Sequence, residues 1–494
     1  MKKTIENDTF SGGKNTTLNA TVGYNGSFSP EGEARSNTDY ALGFSSAALE
    51  LIRVAKESSE FRTHLDFLVY PICFNMRHAV ELRLKKWWKD LGVLAPKRDI
   101  KLKQHRDAKV AKDHSLRGTL EPFPTINEAA THDLSKLWSL VAEYAPIIDS
   151  RFSKLIPLLD SYIQDIADID PTGQTFRYPA SNDSKTHLAE TPLINIEILE
   201  LRFTMLFKLL DFQEQITQDI KYEYSWTETP SQLSYYDLQS ISLDLAKYKD
   251  IEGTSIAAQA KKTVTNRYSL SSNTYAKAIA SIKSNHYLNY SLNITNNLNH
   301  LNEEAIKKIF DAYFTYVTQE ECLARYKQEK TIIDITSHNP DFEKIIQEME
   351  KKNELSEQLL TTLTKEQIAE ATALIECLSQ ERYIEIYYSL AREHIEDVST
   401  MDKAELKSHI SKYFFGHMAI EKLSSILFQI NCAQLIQPQI ENYHLTELNW
   451  YKKLHSHAFI RNYDSLYRFE SMLERFQVEV TSVLSKVKLE RLYF

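Results

Sequence analysis

The sequence predicts an all-helical protein, and three observations support that fold class. The chain of 494 residues has only 11 glycines, whereas glycine ordinarily makes up roughly 7 % of a protein. It also has only 13 prolines, so long segments lack the two residues that most often end a helix. Apolar residues recur at three- and four-residue spacing along most of those segments, as the buried face of a helix requires.

The N-terminal half predicts a bundle of helices joined by one basic loop. Asp39 can cap the first helix, which we expect over Tyr40–Phe61. The residues Asp170 to Gly173 read Asp-Pro-Thr-Gly and are typical of a turn. The further expected helices cover 67–91, 132–144, 149–168 and 192–220, and the expected basic loop covers 95–130.

The chain is expected to have four parts. Residues 1–36 are polar and hold five of the 11 glycines, which predicts a flexible leader. Residues 37–221 form the predicted bundle, and 222–270 predict a linker or small irregular module because the apolar periodicity weakens there. Residues 271–494 predict a second helical domain.

The C-terminal half shows the same helical pattern with one clear start signal. Thr364 and Gln367 have the spacing of a capping box. The histidines of this half do not have metal-ligand spacing: His455 and His457 are two apart, and His394 stands alone. The expected helices cover 302–327, 340–362, 364–379, 381–396, 401–436 and 444–486.

The composition excludes several classes of protein. Neither G-x-G-x-x-G nor G-x-x-x-x-G-K-[ST] occurs, so we expect no Rossmann or P-loop site and no cofactor. Four cysteines without C-x-x-C spacing indicate reduced thiols of a cytoplasmic protein rather than a disulfide framework or a zinc site. No apolar run is long enough for a membrane span.

The helix expected over 67–91 has an apolar face and an ionisable face. Five residues fall in one arc of the helical wheel and predict its core face: Cys73, Met76, Val80, Leu84 and Trp87. Arg77, His78, Glu81 and Lys85 fall in a second arc. The ionisable arc is either a site, a polar network that fixes helix packing, or a solvated surface.

A site of this composition suits the cleavage of RNA without a metal. Arg77 can hold a phosphate with its planar fork. A histidine such as His78 can transfer a proton near neutral pH, and Glu81 can orient a histidine. In this chemistry the RNA supplies its own nucleophile, the 2′-hydroxyl, which attacks the neighbouring phosphate.

Three sequence elements together resemble one family. The first reads Pro-Ile-x-Phe-x-x-Arg-His-Ala-x-Glu-Leu-x-Leu-Lys from Pro71, after a helix rich in Tyr and Phe. The second is Thr131-His-Asp-Leu with Leu-Trp three residues on, and the third runs from Asp170 to the Phe-Arg-Tyr-Pro of 176–179. Their order and spacing over about 38–215 resemble bacterial helical proteins related to the HEPN group, of the toxin and antiviral-defence type.

The resemblance implies a helical bundle, often dimeric, and in many members an RNA-cleaving Arg-x(4–6)-His motif. Here Arg77 and His78 are adjacent, which departs from that pattern. The only match to the motif is Arg98 with His105, in a lysine-rich stretch without an apolar helix face. Partners implied by the resemblance are RNA, a second copy of the chain in a homodimer or larger assembly, and another protein of a defence system.

The second and third elements add two candidate residues, each with a structural alternative. His132 can point into the bundle as an acid or base, or Thr131 or Asp133 can simply cap the helix there. Arg177 can be a second phosphate ligand, or it can form a buried ion pair with Glu81 or Asp170. Either role for Arg177 places it near the helix of the first element.

The stretch from Arg83 to Arg117 is a candidate nucleic-acid contact. It holds 12 basic and four acidic residues in a chain of net charge −9, and lysine and arginine neutralise phosphates. Trp87 and Trp88 can add base stacking, whereas the simpler interpretation is a solvated loop. The residues predicted to contact nucleic acid are Lys85, Lys86, Lys97, Arg98, Lys101, Lys103 and Arg106.

Two functions are therefore expected. The first is a metal-independent ribonuclease of a defence or toxin system, in which Arg77 and Arg177 hold the phosphate, His78 or His132 transfers protons and Glu81 orients the histidine. The second is a non-catalytic nucleic-acid- or protein-binding or assembly subunit. They differ in whether these side chains meet in an open cleft.

Overall fold

The fold is known from a computed structural model. It describes residues 9, 14–20, 36–126, 132–180, 187–226, 233–248, 254–286, 288–292, 294–318, 321, 342–379, 386–416, 418–455 and 465–491. Over these residues the chain is all-helical and has no strand, which confirms the predicted fold class. Most of the expected leader lies outside the described residues. None of the described helices is both long enough and apolar enough to span a membrane.

Seven helices make up the described N-terminal half. The first begins with a capping box in which Ser36, rather than Asp39, is the N-cap and Asp39 closes the reciprocal hydrogen bond at 2.8 Å. The helices are α1 (Asn37–Glu57), α2 (Ser59–Arg62), α3 (Leu65–Leu94), α4 (Asp99–Lys112), α5 (Leu134–Ile148), α6 (Phe152–Ile169) and α7 (Ile196–Trp226).

The basic stretch is more ordered than the expected loop over 95–130. Helix α3 continues to Leu94, and α4 follows after a short 3-10 turn. No glycine or proline interrupts α4, and Leu102 is buried against the bundle. Leu102, together with the contacts of His105 and Lys109 to Glu143, holds this lysine-rich helix on the bundle.

The core of the bundle lies between α1, α3, α5, α6 and α7. Trp87 is fully buried, as the apolar arc of α3 predicts, and its ring lies 5.2 Å from Phe152 and 6.4 Å from Trp138. Small residues of α1, such as Ala41 and Ala48, allow α1 to pack closely along α3. Helix α3 thus runs through the centre of the bundle with its ionisable arc towards α5 and the turn after α6.

The segment expected to be a linker or irregular module contains two helices, α8 (Tyr235–Ala246) and α9 (Thr254–Arg267). Ser234 and Asp237 form a capping box at the start of α8. Leu238, Ile241 and Val264 belong to a small core of this segment. The periodicity is weak in sequence because the apolar residues are few, yet those few meet in one cluster.

The described C-terminal helices follow several of the expected positions, but the helix expected from 302 ends at Tyr316 and the one expected from 444 begins at Asn449. The capping box of Thr364 and Gln367 is confirmed, with reciprocal hydrogen bonds of 3.1 and 3.2 Å. The run expected over 401–436 is divided near Gly416 into two helices. The helices are α10 (Ser272–Ser284), α11 (Glu303–Tyr316), α12 (Phe342–Thr362), α13 (Lys365–Ser379), α14 (Ile386–Thr400), α15 (Lys403–Phe414), α16 (Ala419–Gln429), α17 (Gln437–Asn442), α18 (Asn449–His455) and α19 (Ser465–Arg491).

The last helix returns to the N-terminal bundle. Phe469 and Phe476 of α19 are buried in the same core as α7, with ring centroids 5.9 and 5.0 Å from Phe212. Helix α10 packs in the small core of α8 and α9 through Ala278 and Ile282. Most of the remaining C-terminal helices share a separate core that includes Phe310 and Tyr387. The division of the chain into domains stays a prediction, and this return of α19 is a contact that the sequence does not indicate.

Candidate functional site

Arg77 is buried at the centre of the ionisable arc and holds three backbone carbonyls. Its side chain is only 2 % exposed. Nε donates to the carbonyl of Asp170 at 3.1 Å, and NH2 donates to those of His132 and Pro171 at 2.5 and 3.0 Å. NH1 pairs with Glu81. The guanidinium therefore clamps the start of α5 and the turn after α6 onto α3.

This arrangement corrects the expected role of Arg77. A phosphate ligand needs N–H groups that face an open cleft, but the Arg77 fork is enclosed and already bonded to Glu81 and to backbone. Among the alternatives open from sequence, the polar network that fixes helix packing describes Arg77. The turn at 170–173 is part of it, since Gly173 has φ of +75° and lies against the guanidinium.

Glu81 is the hub around which the other ionisable groups meet. Its carboxylate is buried, and one oxygen lies 2.7 Å from Lys85 Nζ and 3.0 Å from His132 Nδ1. The other oxygen lies 4.0 Å from His78 Nδ1. Burial acts to raise the pKa of Glu81, but His78, Lys85 and Arg77 outweigh it and hold the pKa well below its ordinary value of 4.5. Glu81 is therefore ionised at neutral pH.

The two candidate histidines lie on the outer side of this carboxylate. The His132 side chain is 58 % exposed. The His78 side chain is 30 % exposed, with its ring 4.6 Å from Phe44 and 5.7 Å from Phe74. Both imidazoles thus combine contact with solvent and a nearby buried carboxylate. Of the two, His132 lies within hydrogen-bond distance of Glu81, which is the arrangement that orients a histidine for proton transfer.

Arg177 lies near α3, as both of its interpretations require, but it forms neither expected ion pair. It is exposed, and Nε donates to the carbonyl of Gly173 at 2.6 Å. Its guanidinium lies 5.6 Å from the ring of Phe74, the ring that also stacks on His78. NH1 and NH2 have no protein hydrogen-bond partner within the described part of the chain.

The start of α5 is fixed by two interactions. Asp133 is its N-cap and accepts a hydrogen bond from Lys136 N at 2.9 Å, which confirms the capping role proposed for Asp133. Leu134 N donates to the carbonyl of Pro171 at 2.8 Å. The other capping candidate, Thr131, lies outside the described residues.

The single Arg-x(4–6)-His match does not form a site. Arg98 is 2 % exposed and lies over the ring of Tyr224 at 5.9 Å. His105 Nε2 lies 2.8 Å from Glu143. The two residues therefore contact different parts of the bundle, and both contacts stabilise packing.

The basic stretch is not one basic surface, which corrects the prediction for several residues. Lys85 and Arg98 are buried, Lys86 pairs with Asp90, and burial lowers the pKa of Lys101. Lys97 and Lys103 are exposed. Arg106 is half-buried and donates to the carbonyl of Pro122 at 2.6 Å. Trp87 and Trp88 are also buried, so neither ring can stack on a base.

Sequence reasoning missed the groups that complete the network. The carbonyls of Asp170 and Pro171 carry no side-chain signal, so no motif identifies them as ligands of Arg77. Phe44 and Phe74 have the spacing of ordinary packing residues and gave no sign that they enclose a histidine. The signal in the sequence that links the segments 131–134 and 170–179 to α3 is their resemblance to elements of one family.

Titratable groups also lie outside this cluster, in other described parts of the chain. No group of three or more His, Cys, Asp or Glu within the described ranges is placed to hold a metal ion. Cys73, Cys377 and Cys432 are buried. His457 lies outside the described residues, and His394 lies 2.9 Å from Glu376.

No protein-family model, no curated protein and no solved structure matches the chain.

Proposed function

We propose that this chain is a metal-independent endoribonuclease whose proton-transfer groups are His132 and His78. The observation that supports it best is the position of the two partly exposed imidazoles on one buried carboxylate, Glu81, at 3.0 and 4.0 Å. Two histidines that share an ionised neighbour can act as base and acid in one reaction. This proposal keeps the residues predicted from sequence and changes the role of Arg77.

The reaction uses the 2′-hydroxyl of RNA as nucleophile. Neutral His132 accepts the hydroxyl proton while O2′ attacks phosphorus. The bond from phosphorus to O5′ breaks, and protonated His78 donates its proton to O5′. The products are a 2′,3′-cyclic phosphate and a 5′-hydroxyl, so charge and protons balance without a metal. Glu81 orients His132 through Nδ1.

Arg177 is the proposed phosphate ligand. Its NH1 and NH2 groups have no protein partner among the described residues, and its guanidinium shares the Phe74 ring with His78. Arg77 positions the site instead, because it ties the His132 backbone to α3. Lys97 and Lys103 are the exposed lysines of the basic stretch that remain candidates for backbone contact with RNA.

A second candidate function is a non-catalytic binding or assembly subunit. The burial of Arg77 favours it, because an arginine enclosed by carbonyls and Glu81 stabilises packing whether or not RNA is cleaved. In this proposal, as in the first, the chain works in the cytoplasm in a defence or toxin system, as a homodimer or larger assembly or with another protein.

Incubation of the purified chain with end-labelled RNA in EDTA tests the first function. We expect cleavage with a 2′,3′-cyclic phosphate product, loss of it in His132→Ala and His78→Ala, and no cleavage of DNA of the same sequence. His300→Ala is the matched control, since His300 is also exposed and lies outside both the basic stretch and the cluster around Glu81. No cleavage by the wild-type chain favours the binding role, and cleavage that persists in both histidine variants overturns the assignment.

A further inference from the structure

A large apolar cavity lies on the side of α3 that faces α6 and α7. Its volume is about 640 Å³, within the range of roughly 300–1,000 Å³ of small-molecule sites. The segment 191–195, which leads into α7, closes one side. Most of its wall is apolar, with contributions from Cys73, Met76, Ile166, Leu199, Phe203 and Leu206.

The charged side chains of the wall already have partners within the protein. Arg202 pairs with Asp165 at 2.6 Å and also donates to the carbonyl of Ser161 at 3.1 Å. Arg77 pairs with Glu81 and with backbone. A charged occupant would have to break one of these pairs, so the cavity favours a neutral one.

Tyr162 supplies the polar group of the wall that has no partner. The residue is 2 % exposed, and its hydroxyl is buried without a hydrogen bond within the described residues. Its ring lies under the Arg202 guanidinium, at 4.4 Å. Buried hydroxyls are nearly always hydrogen-bonded in proteins, because an unpaired one is costly. A ligand atom that accepts this hydrogen bond would remove that cost.

We propose that the cavity is a binding site for a neutral, mostly apolar small molecule that presents one hydrogen-bond acceptor to the Tyr162 hydroxyl. The apolar wall supplies the affinity, and Tyr162 supplies the preference for an acceptor. The wall of the cavity includes neither His78 nor His132. Its occupant touches Arg77, the side chain that holds the start of α5.

Binding of the neutral dye Nile red to the full chain, followed by its fluorescence, tests the cavity. We expect saturable binding at one dye per chain, and its loss in Ile198→Trp, which fills the cavity. Val93→Trp is the control, since Val93 is exposed on α3 away from the cavity. Thr191→Trp at the rim is the second filling variant if Ile198→Trp does not fold. Binding that survives in a folded filling variant overturns the proposal, as does the absence of saturable binding.

Displacement of the dye by two molecules of nearly equal shape tests Tyr162. Benzophenone has a carbonyl acceptor and diphenylmethane has none. We expect benzophenone to bind about two- to tenfold more tightly, as one added hydrogen bond allows. Tyr162→Phe should abolish this preference and leave the affinity for diphenylmethane unchanged. An equal preference in wild type and Tyr162→Phe would show that the hydroxyl does not select the ligand.

Discussion

The guanidinium of Arg77 lies so close to Gly173 that no other residue fits there without displacement. A Cβ built on Gly173 would lie 3.1 Å from Cζ of Arg77 and 3.2 Å from NH1. Gly173 also has φ of +75°, in the left-handed region that side chains disfavour. The glycine is therefore required twice: by the turn that aims two carbonyls at Arg77, and by the space that Arg77 fills.

Gly173→Ala should destabilise the chain more than the same substitution does at a turn where no side chain lies against the glycine. Strain at positive φ costs about 1–2 kcal/mol, and the displacement of a buried, fully bonded guanidinium adds to it. Gly118→Ala is the matched control, because Gly118 has φ of +78° and nothing within 4 Å of an added Cβ. Urea unfolding measures the stability of both variants. Equal losses of unfolding free energy would mean that the displacement of Arg77 does not lower the stability.

The Glu81 carboxylate should make stability depend on acid. Its pKa is lowered in the folded chain from an ordinary value of 4.5. The stabilisation is therefore fully present above about pH 4.5 and is lost as the pH falls towards the lower folded value. We expect the difference in unfolding free energy between wild type and Glu81→Gln to shrink as the pH is lowered from 5.5 to 3.

Urea unfolding at several pH values within the range where both chains stay folded measures this difference. Glu60→Gln, at an exposed carboxylate, is the control. The difference in unfolding free energy between this variant and wild type should not shrink as the pH is lowered. A constant difference for Glu81→Gln would show that Glu81 is not the acid-sensitive group.

The basic stretch should separate into residues that stabilise the fold and residues that can meet RNA. Arg83 is 3 % exposed and pairs with Asp211 and Glu214, whose side chains are 51 % and 25 % exposed. Since both partners reach solvent, we expect Arg83→Ala to cost about 1–3 kcal/mol of stability. The double variant of Lys97→Ala with Lys103→Ala should unfold like wild type.

RNA binding across a salt series tests the same two residues. If both lysines contact phosphates, the double variant should reduce the slope of log affinity against log salt by about 1.4, at roughly 0.7 for each contact with a single strand. An unchanged slope would remove the basic stretch from the RNA interface. Lys452→Ala, at an exposed lysine paired with Glu447, controls for the loss of charge alone.

Local pattern and long-range partners explain what the sequence could and could not predict. The capping box of Thr364 and Gln367 and the buried face with Trp87 depend on neighbours three or four residues away, so the pattern contains them. The fate of Arg83 depends on Asp211 and Glu214, more than 120 residues later. A stretch that is basic in sequence can therefore lose much of its surface charge on folding, and no local rule reveals it.

The return of α19 to the N-terminal bundle gives the last prediction. Phe469 is fully buried, with its ring 5.9 Å from Phe212 of α7 and 5.8 Å from Tyr236 of α8. Phe469→Ala leaves a cavity at this junction and should cost about 3–5 kcal/mol. Val478→Ala on the same helix, where the side chain is exposed, should change stability little.

Amide hydrogen exchange locates the effect of Phe469→Ala. Because α19 shares the core of α7, we expect faster exchange in α7 as well as in α19, and no change in α13, which belongs to the other core. Faster exchange confined to α19 would show that this helix docks on a bundle that is already stable without it. Protection lost in α7 would make the end of the chain a structural part of the element that carries the proposed cavity.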